Sequence, residues 1–207
     1  WIDVNKNGIQ DEAASFGVNG VKVKLFSPGP NNYIGGGDDI LLDSTVTAND
    51  FFGNPGYYKF IELATGNYYV QFETTYNGMR LSPVRSILER TDLNNDADST
   101  SGHSSLVFID ANGSGQFKNN TTIDAGYYPV GSLGNYVWWD VNHNGLQDEP
   151  ASRGINGQQV ILWKNTNAGY VPIDTLVTAN DVNGNPGYYN FEITESRAYK
   201  VQFNMAI

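Results

Sequence analysis

The feature that most constrains this sequence is an internal repeat. Residues 1–12 recur as residues 138–149, at an offset of 138 − 1 = 137. A match of this length predicts two copies of one folding unit, because each repeat of such a protein corresponds to one structural unit. We therefore expect a first repeat at residues 1–130 and a second at residues 131–207.

Later motifs keep the same order at a shorter offset. Residues 17–20 match residues 154–157 at the offset of 137, whereas residues 47–50 match residues 178–181 at 178 − 47 = 131. The second copy is therefore 137 − 131 = 6 residues shorter between these motifs. The difference falls in a Gly-, Pro- and Asn-rich stretch of the first copy, and loops tolerate such changes in length.

The two copies are unequal at their ends. The second copy has no counterpart to residues 73–128, and the residues that precede Trp138 have no counterpart before Trp1. We expect the sequence to be a window on a longer array, in which the first repeat lacks its N-terminal strand and the second lacks its C-terminal strands.

Alternation of apolar and polar residues predicts β-strands. Val21, Val23 and Leu25 alternate with Lys22 and Lys24, and the same two-residue period occurs at residues 68–72. Further strands are expected at residues 85–89, 105–109 and 121–128. The chain is rich in Gly, Asn, Asp, Thr and aromatic residues and lacks stretches typical of long helices. The expected fold class is therefore all-β, with antiparallel sheets packed as a sandwich that has one wet side.

Charge and composition exclude several classes of function. A formal net charge of −10 disfavours a nucleic-acid partner, because phosphate binding needs clustered Lys and Arg. The absence of Cys excludes a disulfide framework, a thiolate zinc site and a thiol nucleophile. No apolar run approaches the roughly 18 to 20 residues of a membrane span, so we expect any anchor or targeting signal outside this segment.

Each repeat opens with an Asp-x-Asn-x-Asn-Gly loop. This spacing places oxygen ligands at alternate positions, and Gly permits the sharp turn of a calcium-binding loop. The predicted ligands of Ca²⁺ are Asp3, Asn5, Asn7, the Ile9 carbonyl and Asp11 in the first repeat, and Asp140, Asn142, Asn144, the Leu146 carbonyl and Asp148 in the second. The alternative is that these Asn-Gly sequences simply form turns.

The loop departs from the EF-hand pattern at its twelfth position. An EF-hand places a bidentate Glu there, whereas these loops have Ala14 and Ala151. The missing ligand must come from Glu12 and Glu149, from a distant acidic segment or from water, so we expect a structural site of modest affinity. Two acidic segments, residues 92–98 and 110–113, are candidates for metal binding or for turns. Asp50 and Asp181 are interpreted as hairpin-turn residues.

The order of the motifs resembles that of the B-domain repeats of the serine-aspartate-repeat bacterial surface proteins (SdrD B-like repeats). The motifs are Trp-Trp-Asp-x-Asn-x-Asn-Gly at residues 138–145, Gly-Ile-Asn-Gly at 154–157 and Gly-Tyr-Tyr-x-Phe at 187–191. The resemblance covers nearly the whole chain. It implies tandem prealbumin-like (Ig-like) β-sandwiches, stiffened by structural calcium, that project a binding head from a bacterial cell. It also implies that Asp96 and Asp98 form the acidic pair of that family.

The resemblance further implies an extracellular, cell-surface location. The expected partners are neighbouring repeats of the same chain, together with a host or surface ligand bound through domains outside this segment. Calcium in a loop beside the connection between repeats is expected to stiffen that connection. Related sandwiches also form Lys–Asn or Lys–Asp isopeptide bonds assisted by a buried acid. Glu73 resembles that acid and Asp124 the acceptor, but Val137 stands where the lysine is needed, so we expect no isopeptide bond.

Three other functions compete with that of a stalk that projects a binding head. Catalysis is not expected, because His103 and His143 are the chain's two histidines and a Gly-x-Ser-x-Gly elbow is missing. A carbohydrate-binding module would need a platform of stacking rings. The candidate rings are Tyr57, Tyr58, Tyr127, Tyr128, Trp138, Trp139 and Trp163. A self-assembling filament subunit would instead pair its exposed edge strands between chains.

Overall fold

The computed structural model describes residues 1–84 and 93–204. The strand expected at residues 85–89, and Asp92 of the first acidic segment, lie outside the described residues. The chain divides into two compact units, Trp1–Pro129 and Val130–Ile207. Among the described residues, no helix is both long enough and apolar enough to cross a membrane.

The first unit is built from two antiparallel sheets. Its strands are β1 (Lys22–Ser27), β2 (Ile40–Val46), β3 (Gly66–Phe72), β4 (Thr75–Tyr76), β5 (Met79–Leu81), β6 (Val107–Ile109) and β7 (Tyr127–Pro129). One sheet has the order β2-β1-β3-β6 and the other has the order β4-β5-β7. Two short 3-10 turns, Ala14–Phe16 and Gly115–Phe117, complete its regular structure.

The core of the first unit follows the predicted alternation. Val21, Val23 and Leu25 are buried, whereas Lys22 is exposed. These apolar residues pack with Val70, Phe72 and Tyr127 from other strands. The all-β fold and its antiparallel sheets confirm the predicted fold class.

One residue departs from the expected wet face of β3. Tyr69 is 3% exposed although it lies opposite the core-facing residues of that strand. The ring of Phe26 stacks on it at 5.0 Å between centroids, and the ring of His103 contacts it at 5.1 Å. Its hydroxyl donates a hydrogen bond to the carboxylate of Asp39 at 3.0 Å. The loop between β1 and β2 therefore covers part of the outer face.

The second unit repeats the part of this architecture that β1, β2 and β3 form. Its strands are β8 (Gly131–Tyr136), β9 (Gln159–Thr166), β10 (Gly169–Val177), β11 (Tyr188–Ile193) and β12 (Tyr199–Phe203), with a 3-10 turn at Ala151–Arg153. They form one sheet of order β10-β9-β12 and a second in which β11 pairs with β8. Val160, Leu162 and Phe191 are fully buried at the centre of the unit.

The repeated motifs are joined by the same contacts in both units. Asn19 donates to the side chain of Asn49 at 2.6 Å and accepts from the N–H of Gly56 at 2.8 Å. A Cβ added at Gly17 would lie 1.8 Å from the carbonyl oxygen of Pro55. The counterparts Asn156, Asn180, Gly187, Gly154 and Pro186 repeat these contacts at 2.6, 2.7 and 1.8 Å. The Gly-x-Asn-Gly, Thr-Ala-Asn-Asp and Asn-Pro-Gly motifs thus act as one structural module.

Candidate metal centre

The Asp-x-Asn-x-Asn-Gly loop of the first unit folds around the carboxylate of Asp3. Asp3 is fully buried, and its two oxygens accept hydrogen bonds from the N–H groups of Asn7 at 3.0 Å and Gly8 at 2.8 Å. Lys6 and Gly8 have left-handed backbone, with φ of 58° and 70°. Gly adopts this conformation without strain, which explains the residue type that the motif requires at its sixth position.

The other predicted ligands join this loop through their side chains. Asn5 accepts from the N–H of Asn7 at 3.0 Å, and Asn7 accepts from the N–H of Ile9 at 2.7 Å. The amide groups of Asn5 and Asn7 donate to the carboxylate of Asp11 at 3.2 and 3.0 Å. The Ile9 carbonyl accepts from the N–H of Asp11 at 2.9 Å. The structure therefore brings all five predicted groups of the first loop together.

The second unit forms the same loop. Asp140 accepts from the N–H groups of Asn144 at 3.2 Å and Gly145 at 2.9 Å. Asn142 and Asn144 donate to Asp148 at 3.2 and 2.9 Å, and the N–H of Leu146 donates to Asn144 at 2.7 Å. His143 replaces Lys6 with nearly the same left-handed φ, 56°, and is exposed. Asp140 is half-buried, whereas Asp3 is fully buried.

A glutamate carboxylate contacts the backbone of each loop. Glu12 accepts from the N–H of Val4 at 2.8 Å, and Glu149 accepts from the N–H of Val141 at 2.8 Å. The second carboxylate oxygen of each glutamate, Oε2, is buried and has no hydrogen-bond donor among the described residues. A buried carboxylate oxygen without a partner is costly, and a cation would stabilise it. The donor chemistry of both loops therefore fits a hard cation such as calcium.

Carboxylates alone would not hold a cation in these loops. Within residues 1–84 and 93–204, no group of three or more His, Asp or Glu side chains is placed to hold a metal ion. A cation in these loops would therefore depend on amide and carbonyl oxygens as well as on carboxylates, which is the ligand mixture that calcium accepts.

The first acidic segment lies beside the loop of the first unit. Ile9 and Asn94 form an isolated antiparallel bridge, and the N–H of Asn95 donates to the Gly8 carbonyl at 2.9 Å. Asp96 accepts from the amide of Asn94 at 3.1 Å and from the N–H of Asp124 at 2.9 Å. Burial raises the pKa of Asp96 to about 6.

Asp98 has different partners from Asp96. Its Oδ1 accepts from the N–H of Thr100 at 3.1 Å and from both the N–H and the hydroxyl of Ser101, at 2.8 and 2.9 Å. These hydrogen bonds, led by the one from the Ser101 backbone, lower the pKa of Asp98. Asp98 thus stabilises its own turn. In the second acidic segment, Asp110 likewise caps a turn by accepting from the N–H of Asn112 at 3.0 Å.

The spacing of the motif did not identify Asn94 and Asn95 as neighbours of the first loop. Asn95 donates to the carbonyls of Ser82 and Ala97, at 2.6 and 3.0 Å, and accepts from the N–H of Gly126 at 3.2 Å. The Oδ1 atom of Asn94 is buried and has no donor among the described residues. The sequence signal was present in the Asn-Asn-Asp-Ala-Asp segment, but only the fold shows that the backbone of this segment adjoins the loop.

The interpretation of Glu73 as a buried acid is wrong. Glu73 is exposed, and its carboxylate accepts from the N–H of Lys22 at 3.3 Å. An exposed carboxylate keeps its hydration and does not provide the apolar surroundings that such a role requires.

Sequence comparisons agree with the motifs and the fold. The sequence profile of the SdrD B-like domain matches residues 1–127 and 131–207. Serine-aspartate repeat-containing protein D of Staphylococcus aureus (strain Newman) is 38% identical over 205 residues, which cover 98% of this chain and 13% of that protein. Serine-aspartate repeat-containing protein F of Staphylococcus epidermidis is 34% identical over 205 residues, 98% of this chain and 10% of that protein.

The chain thus spans about an eighth or less of the length of these relatives. The matched segments together cover nearly all of its residues, and they include both acidic loops and the motifs that surround them. The resemblance inferred from the motifs is therefore confirmed, and this chain belongs to the SdrD B-like domain family.

Proposed function

We propose that this chain is a calcium-stiffened stalk segment of a bacterial cell-surface, adhesin-like protein. The observation that carries the proposal is the pair of matching loops, each with a buried glutamate oxygen that lacks a donor among the described residues. Membership of the SdrD B-like domain family agrees with the extracellular, cell-surface location that the sequence predicts.

The charge around the first loop supports a role for a cation. Asp3, Asp11 and Glu12 lie on one loop. Their carboxylates accept hydrogen bonds there from backbone N–H groups and from the side-chain amides of Asn5 and Asn7. A bound calcium ion would supply the missing positive charge. At a free concentration about tenfold above its dissociation constant, it would stabilise each unit by about 1.4 kcal/mol. That is a useful gain for a domain whose net stability is about 5 to 15 kcal/mol.

The burial of the aromatic residues disfavours a carbohydrate-binding platform. Tyr127 is buried, and Tyr58 is half-buried with its hydroxyl donating to the Ile123 carbonyl at 2.8 Å. Tyr57 and Trp139 are exposed. These rings are divided between interior and surface, whereas stacking on a sugar requires a continuous exposed row.

A self-assembling filament subunit is the alternative that one observation favours. β2 is an edge strand, and Ile40, Leu41 and Leu42 on it are 54%, 53% and 48% exposed. Exposed apolar edge strands can pair with another chain. Sedimentation of the chain with and without calcium distinguishes the two functions, because a stalk segment stays monomeric in both buffers whereas a filament subunit polymerises.

Thermal unfolding tests the role of calcium. We expect EDTA to lower the melting temperature of the chain and added calcium to restore it. Asp11→Asn and Asp148→Asn should each remove the response of one unit. Asp43→Asn and Asp174→Asn are matched controls and should leave the response intact. These carboxylates lie in β2 and β10, away from the loops, and among the described residues they accept only from the N–H of the next residue. Identical melting curves in EDTA and calcium would refute structural calcium binding.

Mechanical unfolding tests the stalk. A calcium-stiffened unit should unfold at a higher force in calcium than in EDTA when the chain is pulled from its two ends. The two loop variants, Asp11→Asn and Asp148→Asn, should each lower the force of one of the two unfolding events. Equal forces in both buffers would contradict a stiffening role even if calcium binds.

A further inference from the structure

The chain contains seven Asn-Gly pairs, which begin at Asn7, Asn19, Asn77, Asn112, Asn144, Asn156 and Asn183. Asparagine is a thermolabile residue. It loses its side-chain amide when the backbone nitrogen of the next residue attacks its side-chain carbonyl carbon, and glycine hinders this attack least because it has no side chain. The attack requires a mobile asparagine side chain and a glycine N–H that can give up its proton. Hydrogen bonds to either group therefore protect a pair.

The pairs in the two acidic loops are protected at both groups. The N–H of Gly8 donates to the buried carboxylate of Asp3 at 2.8 Å, and the N–H of Gly145 donates to Asp140 at 2.9 Å. The side-chain amide of the preceding asparagine donates to a second carboxylate of its loop, at 3.0 Å in the first unit and 2.9 Å in the second. A folded loop thus prevents the attack in both pairs.

The pairs in the two Gly-x-Asn-Gly motifs are protected in the same way. The N–H of Gly20 donates to the Thr47 carbonyl, and the N–H of Gly157 donates to the Thr178 carbonyl, both at 2.8 Å. The side-chain amide of the asparagine in each pair donates to another asparagine at 2.6 Å. These contacts belong to the structural module that joins the repeated motifs, so they persist as long as each unit is folded.

Two further pairs, residues 112–113 and residues 183–184, are protected at the glycine. The glycine N–H donates to the Asp110 carbonyl at 2.9 Å in the first of them and to the Asp181 carbonyl at 3.0 Å in the second. Both asparagines are exposed. Each of these glycines must therefore break a hydrogen bond before its nitrogen can react.

Asn77 and Gly78 form the two-residue turn between β4 and β5. Their φ angles of 47° and 72° are typical of a hairpin turn that Asn-Gly favours. Both residues are exposed, and a Cβ added at Gly78 would meet no atom within 4 Å. Neither the Asn77 side chain nor the Gly78 N–H has a hydrogen-bond partner among the described residues, which include all seven pairs. The fold thus leaves this pair open at both reacting groups.

We propose that Asn77 is a site of spontaneous covalent modification, at which the side-chain amide is lost and isoaspartate forms. The Gly78 nitrogen, after giving its proton to hydroxide, bonds to Cγ of Asn77. The bond from Cγ to the side-chain nitrogen breaks, ammonia leaves, and a five-membered succinimide ring remains. Water then opens this ring at one of its two carbonyls, which gives aspartate or isoaspartate. One water is consumed and one ammonia is released, and nothing is oxidised or reduced.

Isoaspartate changes the turn in two ways, because it adds a carboxylate and lengthens the backbone by one methylene. The turn is closed by the pairing of Tyr76 with Met79, and β5 pairs in turn with β7. The hydroxyl of Tyr76 donates to the Asn19 carbonyl at 3.0 Å. A longer turn should displace Tyr76 from this contact and loosen the first unit. This inference goes beyond the stalk function and does not depend on calcium.

The test incubates the whole folded chain in mildly alkaline buffer and maps its peptides by mass spectrometry, with isoaspartate identified by enzymatic methylation. We expect isoaspartate to accumulate at Asn77 at a rate that rises with hydroxide concentration. Asn183 is the internal reference, because it is equally exposed but the N–H of Gly184 is bonded. Asn77 should react at least about fivefold faster than Asn183, since opening a typical hydrogen bond slows the reaction by about this factor.

The same measurement in urea shows whether the fold sets this order. The unfolded chain should modify its seven Asn-Gly pairs at similar rates, because the hydrogen bonds that protect six of them are lost. Asn183 reacting as fast as Asn77 in the folded chain would overturn the proposal. An excess of Asn77 over Asn183 in urea as large as in the folded chain would overturn it too, because the neighbouring sequence would then explain the order.

Release of ammonia gives a second readout. Asn77→Gln should remove most of the ammonia released by the folded chain, because glutamine has to form a larger ring and reacts slowly. Asn183→Gln is the matched control and should leave the release nearly unchanged. Equal release from the two variants would contradict the assignment to Asn77.

Thermal unfolding tests the effect on the turn. The isoaspartate form, separated by ion exchange, should melt at a lower temperature than the unreacted chain. Asn77→Asp is the control, because it adds the charge without the methylene and should melt close to the unreacted chain. An isoaspartate form as stable as the unreacted chain would refute the displacement of Tyr76.

Discussion

Phe26 and Tyr69 stack on the outer face of the first unit with their ring planes 7° apart and their centroids 5.0 Å apart. The same positions in the second unit hold Trp163 and Lys200, because 26 + 137 = 163 and 69 + 131 = 200. The ammonium of Lys200 lies 4.9 Å from the centroid of Trp163 and 4.8 Å from that of Tyr170. A stacked aromatic pair in one unit is thus replaced by a cation–π contact in the other.

Lys200→Gln should therefore destabilise the second unit. We expect a loss of about 0.5 to 1 kcal/mol, the usual contribution of a cation–π contact at an exposed site. Urea denaturation of the two proteins measures it. Lys22→Gln, an exposed lysine on β1, is the control and should have almost no effect. A loss of equal size in both variants would show that the aromatic contacts of Lys200 contribute nothing specific.

Gly17→Ala and Gly154→Ala should each destabilise one unit strongly. The added methyl would lie 1.8 Å from a proline carbonyl oxygen in either case, so the Asn-Pro-Gly turn must move. Overpacking of this kind costs about 3 kcal/mol. The control is Gly66→Ala, where the closest atom to the new methyl lies 3.7 Å away. If the three variants unfold at the same urea concentration, the proposed steric role of Gly17 and Gly154 is refuted.

Asp3→Ala should cost more stability than Asp140→Ala in calcium-free buffer. Both substitutions remove the acceptor of two backbone N–H groups, but Asp3 is fully buried and Asp140 half-buried. A buried N–H that loses its partner costs about 1 to 3 kcal/mol, and water replaces the partner more readily at the second loop. Hydrogen exchange of the Gly8 and Gly145 amides, which these carboxylates accept from, measures the difference. Equal exchange rates in the two variants would contradict the role assigned to burial.

Tyr136→Phe should raise the pKa of Asp181. The hydroxyl of Tyr136, followed by the amide of Asn185, holds that pKa well below its usual range. A depressed carboxyl pKa adds stability above the unfolded value of about 3.9 and loses it as pH falls through the folded value. The variant should therefore be less stable at neutral pH, and the difference should shrink in strong acid. NMR titration of Asp181 checks the shift, with Asp50 as the unchanged internal reference.

Phe191→Ala should destabilise the second unit more than Phe60→Ala destabilises the first. Phe191 is 1% exposed and packs under β8, so its truncation should cost about 3 to 5 kcal/mol. Phe60 already borders an open cavity, and its truncation should cost less than half as much. Unfolding transitions of the two variants give the comparison. A larger loss for Phe60→Ala would mean that the cavity beside it is closed in solution.

The sequence was sufficient to predict the elements that repeat. The two-residue period of β1 identifies its buried face, and the Asp-x-Asn-x-Asn-Gly spacing identifies a loop whose φ values at Lys6 and His143 agree within a few degrees. Both patterns depend on neighbouring residues, so they can be read without knowing the fold.

Contacts between distant segments could not be predicted in this way. The bridge between Ile9 and Asn94 and the burial of Tyr69 under Phe26 depend on which strands and loops become neighbours. The strand expected at residues 121–128 illustrates the same limit. Its pairing with β5 begins only at Tyr127, the first residue of β7. An apolar run predicts that a segment is buried more reliably than it predicts its hydrogen-bonding partner.

The connection between β1 and β2 differs most between the two units. In the first unit it runs through residues 28–39 and carries Asp39 over Tyr69, whereas in the second unit residues 167 and 168 alone join the equivalent strands. The register of the strand pair continues up to the turn in the shorter version. The longer connection is therefore a natural insertion point, at which a foreign epitope or an affinity tag can be displayed while the sheet beneath it retains its pairing.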